Sequence, residues 1–311
     1  MRRGPRSQTT GALVALIVLV VANAAFTPNF ATTGNLWNVL LQTSSVLLVA
    51  VGMTFVIATG GVDLSVGSVM AIAGALAATR LEHGGAAVAV AIGVGLLGAL
   101  AVGALNGTLI ARDGNQPIVV TLATLIAGRG LAQVLSDDGQ LVPIRDATFA
   151  VLGRGYVGPV PAPVVVAVVV VAAAAFVLGA TPFGRYVLAV GGNAPAARLA
   201  GVPVRRTLIT VYALAGLLAG IAGLLEASRL GASDAAKIGL NVELDAIAAT
   251  VVGGTALAGG RATILGTVLG ALVMQVIATS FNMLLVPYAW SLALKAVIIL
   301  VAVFAQRPKR V

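Results

Sequence analysis

The sequence predicts an all-α, polytopic membrane bundle of about ten transmembrane helices. Three observations carry that prediction. Only 9% of residues are charged, 59% are hydrophobic and the mean hydropathy is +1.06, whereas a soluble domain carries about 25% charged residues. Apolar stretches recur at the length a bilayer demands, about 20 helical residues for a hydrocarbon core near 30 Å. Basic residues gather in alternate gaps between those stretches, as they do in loops that stay on the cytoplasmic side. Apolar segments can face lipid directly, so residues 1–311 read as one membrane domain rather than two soluble ones.

Residues 11–27 form the first apolar stretch, behind Arg2, Arg3 and Arg6. It resembles a signal peptide, and Ala22-Asn23-Ala24 has the spacing of a cleavage site, but its length and the spans that follow favour an uncleaved first helix. Cutting at charges, prolines and glycine pairs places the next crossings at 37–58, 64–80, 86–111, 117–135, 162–180, 207–227, 243–259, 262–285 and 288–305. With the amino terminus inside, the cytoplasmic segments hold Arg112, Arg185, Arg198, Arg205, Arg206, Arg261, Arg307, Lys309 and Arg310 against Asp63 and Asp113. The outer segments carry more acidic than basic residues. Both termini are therefore expected on the cytoplasmic side of an inner membrane.

Two patterns bear on how such spans assemble. Gly103/Gly107, Gly216/Gly220 and Gly266/Gly270 place small residues four apart, a spacing that brings helix backbones close or pairs two subunits. A faint echo links Asp63-Leu-Ser-Val-Gly-Ser-Val-Met-Ala with Asp245-Ala-Ile-Ala-Ala-Thr-Val-Val-Gly, five spans apart. It fits an inverted 5+5 repeat and equally fits chance similarity between small apolar segments.

The residue inventory excludes much chemistry. Cysteine is absent, His83 is the single histidine, and Lys237, Lys295 and Lys309 are the lysines, none followed by Ser or Thr. A Walker phosphate loop and a His-Glu-x-x-His zinc motif are both missing, and one turn histidine does not make a metal site. No nucleophile, base or metal constellation converges, so the chain is not read as an enzyme. The positive net charge is dispersed among loops and predicts no nucleic-acid partner.

Three polar segments remain. Gly60-Gly-Val-Asp-Leu-Ser-Val-Gly-Ser68 interrupts an apolar run: Asp63 either caps the next helix or belongs to a broken helix beside a polar passage. In 181–206, Asn193 suits an N-cap, Pro195 a first turn, and Gly201 with Pro203 a stop. The segment is either a short cytoplasmic helix that a partner could grip or a basic loop that sets topology. Glu226, Arg229, Asp234, Lys237, Asn241, Glu243 and Asp245 concentrate at an expected outer mouth, as solvated loop charge or as groups that receive a polar solute or dock an external protein. Asn106, Gln133, Gln275 and Asn282 add uncharged donors and acceptors that serve either helix contacts or a solute.

At these segments the chain resembles the permease family of ribose-type ABC importers. Gly60-Gly-Val-Asp-Leu-Ser-Val-Gly-Ser68, Gly191-Gly-Asn-Ala-Pro-Ala-Ala-Arg-Leu-Ala-Gly-Val202, Glu243-Leu-Asp-Ala-Ile-Ala-Ala-Thr-Val-Val-Gly-Gly-Thr255 and Ala258-Gly-Gly-Arg261 look like its recurrent blocks, over about residues 36–305. The resemblance implies a second permease copy or close paralogue, a cytoplasmic ATPase subunit that holds ATP and Mg, an external solute-binding protein and a monosaccharide substrate. This chain would bind no cofactor itself. The 191–202 segment, with Asn193, Pro195, Arg198, Leu199 and Gly201, would make the coupling contact, and Asp63, Asn106, Asn241, Glu243 and Asp245 are the passage candidates. Branched-chain amino-acid permeases are a related alternative. An ion-coupled symporter is a different one, disfavoured by acidic residues that cluster at span ends.

Overall fold

The computed structural model describes residues 5–82, 87–136 and 138–306. His83, Asp137 and the basic residues at positions 2, 3, 307, 309 and 310 lie outside them. The helices are α1 (Pro5–Phe26), α2 (Thr33–Ala58), α3 (Val66–Glu82), α4 (Val88–Asp113), α5 (Pro117–Leu135), α6 (Ala147–Arg154), α7 (Ala162–Ala180), α8 (Pro182–Gly192), α9 (Ala194–Leu199), α10 (Val204–Leu230), α11 (Val242–Val252), α12 (Ile264–Met283) and α13 (Tyr288–Gln306). Two antiparallel ladders decorate the loops. Val142–Pro143 (β1) pairs with Ala232–Ser233 (β4), and Tyr156–Val157 (β2) with Val160–Pro161 (β3).

All ten expected spans coincide with helices, but not all are full crossings. Among the described residues, seven helices (α1, α2, α4, α5, α7, α10 and α12) are long and apolar enough to traverse a membrane. The expected span 243–259 is corrected by α11, which stops at Val252. Its 11 residues reach only about 16 Å. The cause lies in Gly253 and Gly254: the first packs its backbone against Gly266, and the second adopts φ +95°, which an L side chain resists. Similarly, α3 begins only after the irregular stretch 60–65.

α2 forms the centre. From Leu47 to Ala58 every residue is buried, as expected of a helix that is apolar all round. α10 packs on α4, α2 and α3. The glycine spacings explain how: a Cβ at Gly103 would come within 3.1 Å of the Gly216 Cα, and one at Gly216 within 3.0 Å of the Gly103 Cα. Gly107 abuts Ile209, Gly220 abuts Ala99, and Gly270 abuts Ala249. All three glycine pairs thus serve close packing within one chain.

The echo between Asp63 and Asp245 does not mark equivalent positions. Asp63 precedes the first residue of α3, whereas Asp245 sits inside the first turn of α11. Two further helices, α6 and α8, lie between the expected spans. Asp146 caps α6 by accepting from the Thr148 and Phe149 amides, and Thr181 caps α8 by accepting from the Gly184 amide. Both are N-cap residues of the preferred kind.

Candidate functional site

The break between α2 and α3 is held by a buried polar network. Asp63 Oδ1 accepts from the Ser65 amide at 2.9 Å and from Ser65 Oγ at 2.6 Å. Asn106 Nδ2 on α4 donates to Ser65 Oγ at 2.9 Å, and Thr124 Oγ1 on α5 donates to Asn106 Oδ1 at 2.6 Å. Ser68 Oγ donates to the Ser65 carbonyl, while Thr121 and Tyr212 hydroxyls reach the Val62 carbonyl. Asp63 is 1% and Asn106 0% exposed.

This arrangement decides between the two readings of Asp63. The chain is broken here, but Asp63 closes a turn ahead of α3 rather than capping the amides of the helix itself. Irregular backbone at membrane depth must be satisfied by protein or water, and here side chains from α4, α5 and α10 satisfy it. Asp63 and Asn106 are thus brought together, through Ser65, in a closed network. The sequence offered Ser65 inside its motif; Thr124 and Tyr212 carried no signal of their own, because their roles depend on three helices meeting.

The remaining passage candidates lie around α11. Asn241 adopts φ +62° ahead of the helix and makes no side-chain cap. Glu243 is 9% exposed, and among the described residues its Oε2 has no hydrogen-bond partner. That oxygen lies beside Gly67 in the first turn of α3, 2.7 Å from where a Cβ would stand. Asp245 is committed elsewhere: Lys295 Nζ on α13 donates to both its carboxylate oxygens, at 2.7 and 2.9 Å. The expected outer mouth is partly folded inward. Arg129 on α5 donates to the carbonyls of Ala235 at 2.9 Å, Ile238 at 2.7 Å and Gly239 at 3.4 Å. A cation at the end of a helical turn satisfies orphan carbonyls there.

On the opposite face of the bundle, Asn193 Oδ1 accepts from the Ala196 amide at 3.0 Å and starts α9. Pro195 stands in its first turn, and Gly201 leaves it at φ +81°. Ala197 is buried with Val190 and Val204, which anchors the helix. Asn193, Pro195, Arg198 and Gly201 are exposed, and Leu199 is 91% exposed. Over residues 35–303 the sequence matches the family described as the permease component of branched-chain amino acid transport systems.

The chain belongs to that permease family. The ribose import permease protein RbsC of Escherichia coli strain K12 is 41% identical to it over 96% of this chain and 93% of the relative. RbsC of Bacillus subtilis strain 168 is 39% identical over 97% and 94%. The L-arabinose ABC transporter permease protein AraH of Azospirillum brasilense is 38% identical over 97% and 88%. No solved structure matches the chain. It is a multi-pass membrane transport subunit.

Beneath α9 the permease is joined by backbone to its central helix. Gly191 lies against the Ala58 carbonyl at the end of α2, and a Cβ at Gly191 would stand 2.6 Å from the Gly260 nitrogen. Gly259 and Gly260, both at positive φ, bring the loop after α11 into the same contact. The family blocks 60–68, 191–202 and 258–261 therefore converge in space. Their glycines are needed because no side chain fits between the strands of backbone.

Proposed function

We propose that this permease forms the solute passage of an ATP-driven importer that carries a monosaccharide of the ribose type into the cytoplasm. The relatives named for ribose and L-arabinose import support the substrate class. The observation that carries the mechanism is Leu199: a large apolar side chain, 91% exposed on a rigidly capped short helix, flanked by exposed Arg198, Arg205 and Arg206. An exposed apolar anchor in a segment that also carries exposed arginines is the composition of a protein contact. The occupant is a cytoplasmic ATPase subunit, which holds ATP and Mg.

In this reading the whole chain is one membrane domain with ten crossings or part-crossings and both termini in the cytoplasm, and two copies face each other. An external solute-binding protein delivers the sugar. ATP binding moves α9, and the Gly191–Ala58–Gly260 contact transmits the movement to α2 and to the break at Asp63. Binding at one site then biases a two-state passage at another, which is what coupling requires.

The test is reconstitution in proteoliposomes with the ATPase and binding protein, measuring labelled ribose uptake. Uptake is expected only with internal ATP and magnesium. Uptake driven by an ion gradient, unaffected by ATPase and ATP, would sink the proposal in favour of a symporter. Uptake of leucine in place of ribose would move the substrate to the branched-chain amino acids.

A further inference from the structure

The polar residues that best suit a sugar are not those of the closed network at Asp63. We propose that the carboxamide chain Asn38–Gln42–Gln275, on the paired faces of α2 and α12, is a sugar-contacting wall of the passage, completed by the second copy of the chain; this rests on the function just proposed.

Gln275 Nε2 donates to Gln42 Oε1 at 3.1 Å and to Thr279 Oγ1 at 3.2 Å, and Gln42 Nε2 donates to Asn38 Oδ1 at 2.9 Å. The bonds run head to tail, so the two ends stay open. Among the described residues, Asn38 Nδ2 has no acceptor and Gln275 Oε1 has no donor. Reversing every amide would exchange the two ends without closing either. Nearby hydroxyls do not compete, since Thr43 and Ser44 donate back into α2, to the carbonyls of Val39 and Leu40.

Depth makes the chain costly unless it serves a polar space. Gln42 lies about 13 Å along α2 from Thr33, and Gln275 about 12 Å along α12 from Met283. Both therefore stand near the middle of a core about 30 Å thick. Asn38 is exposed, and Gln42 and Gln275 are half-buried. Open amide groups facing lipid would cost several kcal/mol each by transfer from water, and intramembrane polar groups accordingly face a bundle interior or a wet cavity. Toward the other ends of the same helices, Thr54 and Thr267 bond each other at 2.7 Å with no exposure. The seam is open in the half away from α9 and sealed toward it.

The chemistry selects a neutral polyol. Each sugar hydroxyl both donates and accepts, which matches a wall offering an open donor at one end and an open acceptor at the other. An α-amino acid would carry an ammonium and a carboxylate past side chains that hold no countercharge. Since α2 also ends at Ala58 against Gly191, movement of α9 would shift this wall directly.

The deciding experiment uses the full importer in proteoliposomes, with Gln42→Leu/Gln275→Leu and, as a gentler second variant, Asn38→Ala. Three quantities are read: labelled ribose moved per ATP hydrolysed, ATP hydrolysis stimulated by the binding protein, and permease mass in detergent. Each lost hydrogen bond is worth about fivefold, so the double variant, which removes the open acceptor and leaves Asn38 unheld, is expected to move about 25-fold less ribose per ATP and Asn38→Ala about fivefold less. Hydrolysis should stay within twofold of the parent, and the protein should keep the parent's dimeric mass. Ribose per ATP unchanged in both variants would overturn the proposal. So would a monomeric protein that hydrolyses no ATP, which would make the seam a subunit contact only. A parent complex that carries no ribose with ATP would instead remove the functional reading on which the wall depends.

Discussion

The Gly260 amide donates a 2.9 Å hydrogen bond to the carbonyl of Ala58. This bond joins the loop behind the half-length helix α11 to the last residue of the central helix α2, and Gly191 lies flush against the same carbonyl. A methyl group at Gly191 has nowhere to go. Gly191→Ala is expected to cost about 1–3 kcal/mol through overpacking, seen as a lower unfolding temperature in detergent. Protein that still folds should hydrolyse ATP with the partner subunit while moving less sugar per ATP. An unchanged ratio would show that this contact carries no coupling.

Leu199 is predicted to anchor the ATPase subunit. Leu199→Asp should weaken binding of that subunit at least about tenfold, within the range of an interface hot spot, as measured by titration of the detergent-solubilised permease. The side chain touches little within its own chain, so thermal stability of the permease alone should not change. Asn193→Ala offers a contrast: loss of the cap should cost the short helix about 1 kcal/mol and weaken ATPase binding less than Leu199→Asp does.

Lys295 and Asp245 bind α13 to α11 by an ion pair at 2.7 Å, with side chains 11% and 26% exposed. Breaking one partner of a buried pair strands the other. Lys295→Met alone should destabilise the protein by about 2–4 kcal/mol, less than a fully buried pair because Asp245 keeps some solvent. The double variant Lys295→Met/Asp245→Leu should recover much of that loss. Denaturant titration of the set in one detergent tests it, and a double variant as unstable as the single one would rule out the stranded charge as the cause.

Asn106 is expected to be structural. Asn106→Ala leaves the hydroxyls of Ser65 and Thr124 without their partners and should cost about 1–3 kcal/mol. Folded protein should transport a panel of pentoses and hexoses with the parent's order of preference. A changed order, at equal stability, would return Asn106 to the passage.

Much of this architecture was legible beforehand because the bilayer imposes a length on apolar runs. The limits of α5 and α7 match the expected spans 117–135 and 162–180. The capped helix α9 was legible for a different reason: Asn193, Pro195 and Gly201 each bias the backbone locally, with no help from distant residues. By contrast, the expected crossing 243–259 failed because apolar composition continues past Val252, while the close approach of Gly253 to Gly266 on another helix ends the helix first.

By itself, then, the sequence determined that the chain lies in a membrane, roughly where its helices run, that it lacks a nucleotide loop, and which blocks resemble a sugar permease. Those properties follow from composition and short-range bias. The tertiary structure alone decided which partners the polar residues have. Asp63 and Asn106 both close on Ser65, Asp245 is taken by Lys295, and Gln42 meets Gln275 across two antiparallel helices. A polar side chain in a membrane protein can satisfy its neighbour or wait for a solute, and only the positions of its partners distinguish the two.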